Sequence, residues 1–188
     1  MEKAMLGIAL RDRKRNDWIR TTVQLLYSSN NANIEINGVP ENRAENLITT
    51  VVQLSTVVKS PITSEDLQNV TRVAKLSEDK DRPRAIIAKF RTPRLRDRIL
   101  AAVTKFNQEN DKDKLSSQHL GIGGTRVPVF VAEHLTPAAK KLHAATRKRC
   151  KELNYKYVWI RNGRIYVRKD DKEQALLIRS SDSLELMN

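Results

Sequence analysis

Between Tyr157 and Lys169 the chain reads YVWIRNGRIYVRK, two alternating runs joined by Asn162-Gly163. Of all the segments in these 188 residues, this one leaves the backbone the least choice. Both central positions of a two-residue hairpin turn need positive φ, which Asn tolerates and Gly adopts freely. A turn at Asn162-Gly163 sets Arg161 opposite Arg164, Ile160 opposite Ile165 and Trp159 opposite Tyr166. It also sets Val158 opposite Val167 and Tyr157 opposite Arg168. Side chains alternate between the two faces of a strand. One face is then Val158, Ile160, Ile165 and Val167, wholly aliphatic and suited to a core. The other is Tyr157, Trp159, Arg161, Arg164, Tyr166 and Arg168.

Rings interleaved with guanidiniums suit a single-stranded nucleic acid. Bases stack on aromatic side chains for about 1–3 kcal/mol each, and arginines take phosphates or stack themselves. Arg161 opposite Arg164 puts like charges side by side, which costs stability until an anion lies between them. The alternative is that this face packs on the preceding domain. Packing there would require partners for three buried arginines.

Upstream, Thr136-Pro137 reads as a helix start, a capping hydroxyl followed by proline at the first helical position. The expected inner positions are Ala138, Leu142, Ala145, Thr146 and Leu153. Lys140, Lys141, Arg147, Lys148 and Lys151 fall on the other side, a denser cationic face than solvation alone requires. The whole chain carries a formal charge of +13. Such a charge draws phosphate polyanions, with acidic membranes as a second target.

Residues 33–133 show a different rhythm. Segments 33–40, 69–76, 83–90 and 126–135 read as strands. Between the first two, Asn42 and Glu45 have capping-box spacing before a helix with Leu47, Ile48, Val51, Val52, Leu54 and Val58 at helical period. Thr92-Pro93 opens a second helix with Leu95, Ile99, Ala102, Val103 and Phe106 facing inward. The order strand–helix–strand–strand–helix–strand predicts two helices on one face of a four-stranded antiparallel sheet, as in an RNA-recognition (RRM-like) domain. The expected class is α+β: an RRM-like βαββαβ domain followed by a small α–β-hairpin–β domain. The expected divisions are 1–32, a basic helix and linker; 33–133; and 134–188. Segment 83–90 offers only Phe90 as a ring, so base stacking on the first sheet should be weak. Arg82, Arg84, Arg91, Arg94, Arg96 and Arg98 instead predict an edge that binds a phosphate backbone.

Several chemistries find no support in the residues. One cysteine, Cys150, excludes an internal disulfide and a multi-cysteine zinc site. His119, His134 and His143 lack metal-ligand spacing, and no nucleophile–base constellation is readable. Gly121, Gly123 and Gly124 lack the lysine of a phosphate-binding loop and read as a connection. No signal peptide and no membrane-spanning stretch are evident. The expectation is a non-enzymatic protein without cofactor, in the nucleus or cytoplasm. The run Arg11, Arg13, Lys14, Arg15 is a weak nuclear-targeting pattern.

INGVPENRAENL at 36–47, RPRAIIAKF at 82–90, VAEHLTPAAKKL at 131–142 and YKYVWIRNGRIYVRKDD at 155–171 resemble the baculovirus few-polyhedra (FP) protein family and its insect relatives. That family is in turn similar to the first open-reading-frame protein of LINE retrotransposons, a coiled coil followed by an RNA-recognition domain and a small C-terminal domain. The resemblance implies a single-stranded RNA or DNA binder that aids strand annealing, with Arg161, Arg164 and Arg168 in its C-terminal surface. The coiled coil is lost here or reduced to residues 1–31, which leaves homo-oligomerisation to the residues before 33. Residues 2–20 resemble a segment of non-LTR reverse transcriptases. Viral relatives affect virion envelopment, so a protein partner is the rival expectation.

Overall fold

Strand β1, Asn33–Asn37, sets the first layer. The computed structural model describes residues 32–74 and 82–187. The run Arg11, Arg13, Lys14, Arg15, the oligomerisation and reverse-transcriptase-like segment, and the end of the second expected strand lie outside those residues. In β1 the alternation buries Ile34 and Ile36. It is flanked by β3, Ile86–Phe90, and β4, Phe130–Glu133, while β2, Leu67–Arg72, pairs with β3. The antiparallel order is β2-β3-β1-β4. Helices α1, Leu47–Val57, and α2, Pro93–Glu109, cover one face. Val51, Leu54, Ile99 and Val103 meet Ile34, Ile36, Ile86, Ala88 and Phe90 in one apolar core.

The strands are shorter than expected, for local reasons. At the start of β4, Pro128 has no N–H to give and the Val129 amide goes to the Leu115 carbonyl instead. β2 begins earlier than expected, at Leu67, with a register shift between Leu67 and Asn69. The Asn42–Glu45 capping box is not formed. Asn46 caps α1 by accepting from the Thr49 amide, and Asn42 makes a turn with the Ala44 amide. The Glu45 carboxylate is held chiefly by Arg72, with the Asn42 backbone amide a lesser contact. Ile48, expected inward, is exposed. The Thr92 cap of α2 forms as expected, accepting from the Leu95 amide.

The C-terminal residues build a second layer. Helix α3, Pro137–Glu152, is capped by Thr136, which accepts from the Ala139 amide. Strands β5, Tyr157–Arg161, β6, Arg164–Arg168, and β7, Leu176–Ile178, form an antiparallel sheet in that order. A short helix, α4, Asp182–Glu185, follows. The chain is thus α+β, with two antiparallel sheets and four α-helices among the described residues. The second core holds Cys150, Ile165, Val167, Ile178 and Met187, with Leu142, Leu153, Val158 and Ile160 packed against it. The buried stripe of α3 is therefore Leu142, Thr146, Cys150 and Leu153, whereas Ala138 and Ala145 are exposed. Those four stand four, four and three residues apart, the spacing of one helix face. No helix among the described residues is long and apolar enough to cross a membrane.

Candidate nucleic-acid interface

The hairpin has the expected register at all five pairs, from Arg161 with Arg164 to Tyr157 with Arg168. Asn162 and Gly163 have φ of 54° and 69°, as a two-residue turn with right-handed twist requires. The aliphatic face meets α3, so the ring face looks away from that helix. On it Trp159 and Tyr166 stack on each other, centroids 5.7 Å apart and planes 15° from parallel. Arg161 and Arg164 lie beyond them, exposed and without an ion-pair partner among the described residues.

Tyr157 is engaged differently. The Arg168 guanidinium lies 4.6 Å from its ring centroid, and its hydroxyl donates to Asp171 at 2.6 Å. Lys156 donates to the same carboxylate at 2.5 Å. These two hydrogen bonds, the Lys156 bond first, hold the Asp171 carboxyl below its usual range. Beside this cluster opens a cleft of about 530 Å³ lined by Lys156, Tyr157, Trp159, Arg168, Glu173 and Ala175.

The cationic face of α3 is exposed at Lys141, Arg147, Lys148 and Lys151, all without ion-pair partners among the described residues. Because α3 covers the aliphatic side of the second sheet, this face and the ring face do not share a side of that sheet. Lys140 stands apart from them. Its Nζ lies 2.7 Å from Glu35, a residue of β1 whose side chain is 13 % exposed. Glu35 also takes a hydrogen bond from His134 at 3.2 Å and from Asn37. The His134 bond above all, then Lys140, hold its carboxyl at about 2 against desolvation. A carboxyl depressed in the folded state contributes stability above its ordinary range and loses it as pH falls toward the folded value. Glu35→Gln should therefore lower the urea midpoint at pH 7 and narrow the gap between pH 7 and pH 3. An unchanged gap in that urea series would show that Glu35 is not held this way.

The expected arginine edge is divided. Arg82, Arg91 and Arg94 are exposed, and their side chains have no ion-pair partner among the described residues. Arg84 is paired with Glu41 at 2.9 Å, and Arg98 donates to the Pro61 carbonyl. Arg96 is not on an edge at all: it is 1 % exposed. Its guanidinium donates to Asp97 and to the Asn162 side chain at 2.6 Å, and lies 3.5 Å from Glu133. The Glu133 carboxylate accepts from the Asn162 amide at 3.0 Å and the Gly163 amide at 2.7 Å. The tip of the hairpin is thereby latched to β4 and to the first turn of α2.

Two groups here escaped sequence reasoning. Glu133 follows an apolar run in VFVAE and is half-hidden at the end of its strand, an acidic interruption that was the available signal. Glu173 sits in a charged loop and offers no signal. The histidines serve locally: His119 bonds Ser116 and packs edge-on to Phe106, and burial pushes His143 down. Burial likewise pushes the Cys150 thiol up.

Residues 136–188, about a quarter of the chain, match the family model described as Baculovirus FP protein domain 2. No curated protein matches the chain.

Proposed function

We propose that this chain, whose C-terminal segment is similar to the second domain of baculovirus FP proteins, binds single-stranded RNA or DNA without catalysing a reaction. The observation that carries the reading is the stacked Trp159–Tyr166 pair next to the unpaired Arg161 and Arg164. Two parallel rings offer a flat apolar platform of base-like size, and the arginines supply charge where a backbone would run. Like charges held directly opposite are favourable only with an anion between them. Arg94, exposed in the first turn of α2, and Arg82, exposed ahead of β3, add positive charge apart from this pair. Lys141, Arg147, Lys148 and Lys151 form a separate surface that holds phosphates without contacting the same bases. We extend the proposal to annealing (chaperone-like) activity and a mobile-element origin, which the resemblance read in the sequence to LINE first-open-reading-frame proteins implies, and to an RRM-like role for the first sheet.

The test is equilibrium binding to labelled single-stranded RNA, single-stranded DNA and duplex across a salt series. For single strands log affinity should fall with log salt by about 0.7 per phosphate neutralised. Trp159→Ala with Tyr166→Ala should weaken single-strand binding by about 1–3 kcal/mol per stacked base and leave that slope nearly unchanged. Arg161→Gln with Arg164→Gln should flatten it by between one and two phosphates. Weak binding that ignores strandedness and disappears in moderate salt would replace this reading with action through a protein partner.

A further inference from the structure

Two groups that line the cleft beside Trp159 have hydrogen-bonding capacity unused among the described residues, the Arg168 Nε–H and the Glu173 carboxylate. Lys156 and Tyr157 donate to Asp171, and a terminal nitrogen of Arg168 lies 3.4 Å from the same carboxylate, which leaves the Arg168 Nε–H without an acceptor. Glu173 lines the same cleft, and its carboxylate has no hydrogen bond or ion pair among the described residues. A volume of about 530 Å³ falls among sites that take small ligands. One wall is the indole of Trp159, which is stacked on Tyr166 and held parallel to it. Another is the Tyr157 ring beneath the Arg168 guanidinium.

We propose that this cleft admits a single unstacked nucleobase and selects guanine, with Glu173 accepting from its Watson–Crick edge. The inference rests on the single-strand binding proposed above. An ionised carboxylate is acceptor-only and has two oxygens. Guanine is the base that presents two adjacent donors, its ring N1–H and its exocyclic amine. Adenine and cytosine place an amine next to a ring nitrogen that repels the second oxygen. Uracil flanks its one N–H with two carbonyls. Unstacked bases in single strands are read in this manner, by stacking on a ring and by hydrogen bonds to the exposed edge.

The probes are U-tract decamers carrying one central guanine, inosine, adenine or cytosine, or none, measured at one salt concentration by anisotropy. Guanine should bind about tenfold tighter than adenine, the order expected of one bidentate base contact. Inosine, which lacks the exocyclic amine, should fall between them. Glu173→Ala should bring the guanine-to-adenine ratio to near one and leave the all-U decamer bound as tightly or slightly more tightly. Glu173 lies in an exposed loop, so the variant should unfold like the parent. Equal affinity for all five decamers, or a guanine preference that persists in Glu173→Ala, overturns the base-selection reading alone. If no decamer binds, the single-strand reading falls with it.

Discussion

Gly38→Ala is expected to lose about 3–5 kcal/mol of folding stability, enough to remove a large part of a domain's margin. Two costs combine at this position. Gly38 has φ of 88°, where an L side chain is strained by about 1–2 kcal/mol. A Cβ built there lies 2.0 Å from the Pro128 carbonyl oxygen, an overlap with backbone that no side-chain rotation relieves. The overlap forces apart the segments joined where β1 ends and β4 begins. Gly163→Ala isolates the first cost, since its φ is also positive, 69°, and a Cβ there meets nothing within 4 Å. Gly38→Ala should therefore show a much lower urea midpoint than Gly163→Ala. Equal losses would mean that the loop at Pro128 yields freely.

Arg72→Met should cost a comparable amount. The Arg72 side chain is 4 % exposed and its guanidinium grips Glu45 through both oxygens, at 2.7 and 2.6 Å. It also donates to the carbonyls of Val39, Pro40 and Arg84. Removing the guanidinium leaves Glu45, whose side chain is 22 % exposed, without its counter-charge and three backbone carbonyls without their donor, a loss of about 2–4 kcal/mol. Methionine fills the volume, so the effect reports the charge and its hydrogen bonds. The Arg72 hydrogen bond holds the Glu45 carboxyl below its ordinary range. Its contribution is present above that range and fades as pH falls, so the deficit of Arg72→Met should shrink in acid. Arg72→Met with Glu45→Gln should recover part of the loss at pH 7. A single variant within 1 kcal/mol of the parent in urea unfolding would show that solvent replaces the clamp.

These two sites mark where sequence reading stops. The hairpin was legible to the residue because its determinants are local: Asn162-Gly163 sets the turn, and period-two alternation assigns each side chain to a face. The helix starts at Thr92-Pro93 and Thr136-Pro137 were legible for the same reason. Arg72 and Arg96 were not. An arginine read alone belongs on a surface, and these two are buried only because partners 27 and 66 residues away complete them. Glu45 shows the same competition. Its spacing from Asn42 fits a capping box, but a buried guanidinium offers more than a helix end, and Asn46 takes over the cap. Lys140 belonged to the expected cationic face until Glu35, 105 residues earlier, engaged it.

The carboxylate of Glu133 at the Asn162-Gly163 turn would make the proposed single-strand interface a ruler. Successive amides in a tight turn form a small concave receptor for an anion. Here it is filled from within, by a side chain at the end of β4. Swinging the second sheet away would take from Glu133 both of its amide donors and from Arg96 the Asn162 side-chain oxygen together, so the two halves should resist bending at this joint. On the proposed single-strand reading, a strand that crosses the rings meets contacts at set intervals, and the number of nucleotides covered should be a constant of the protein, unaltered by the length of the strand offered.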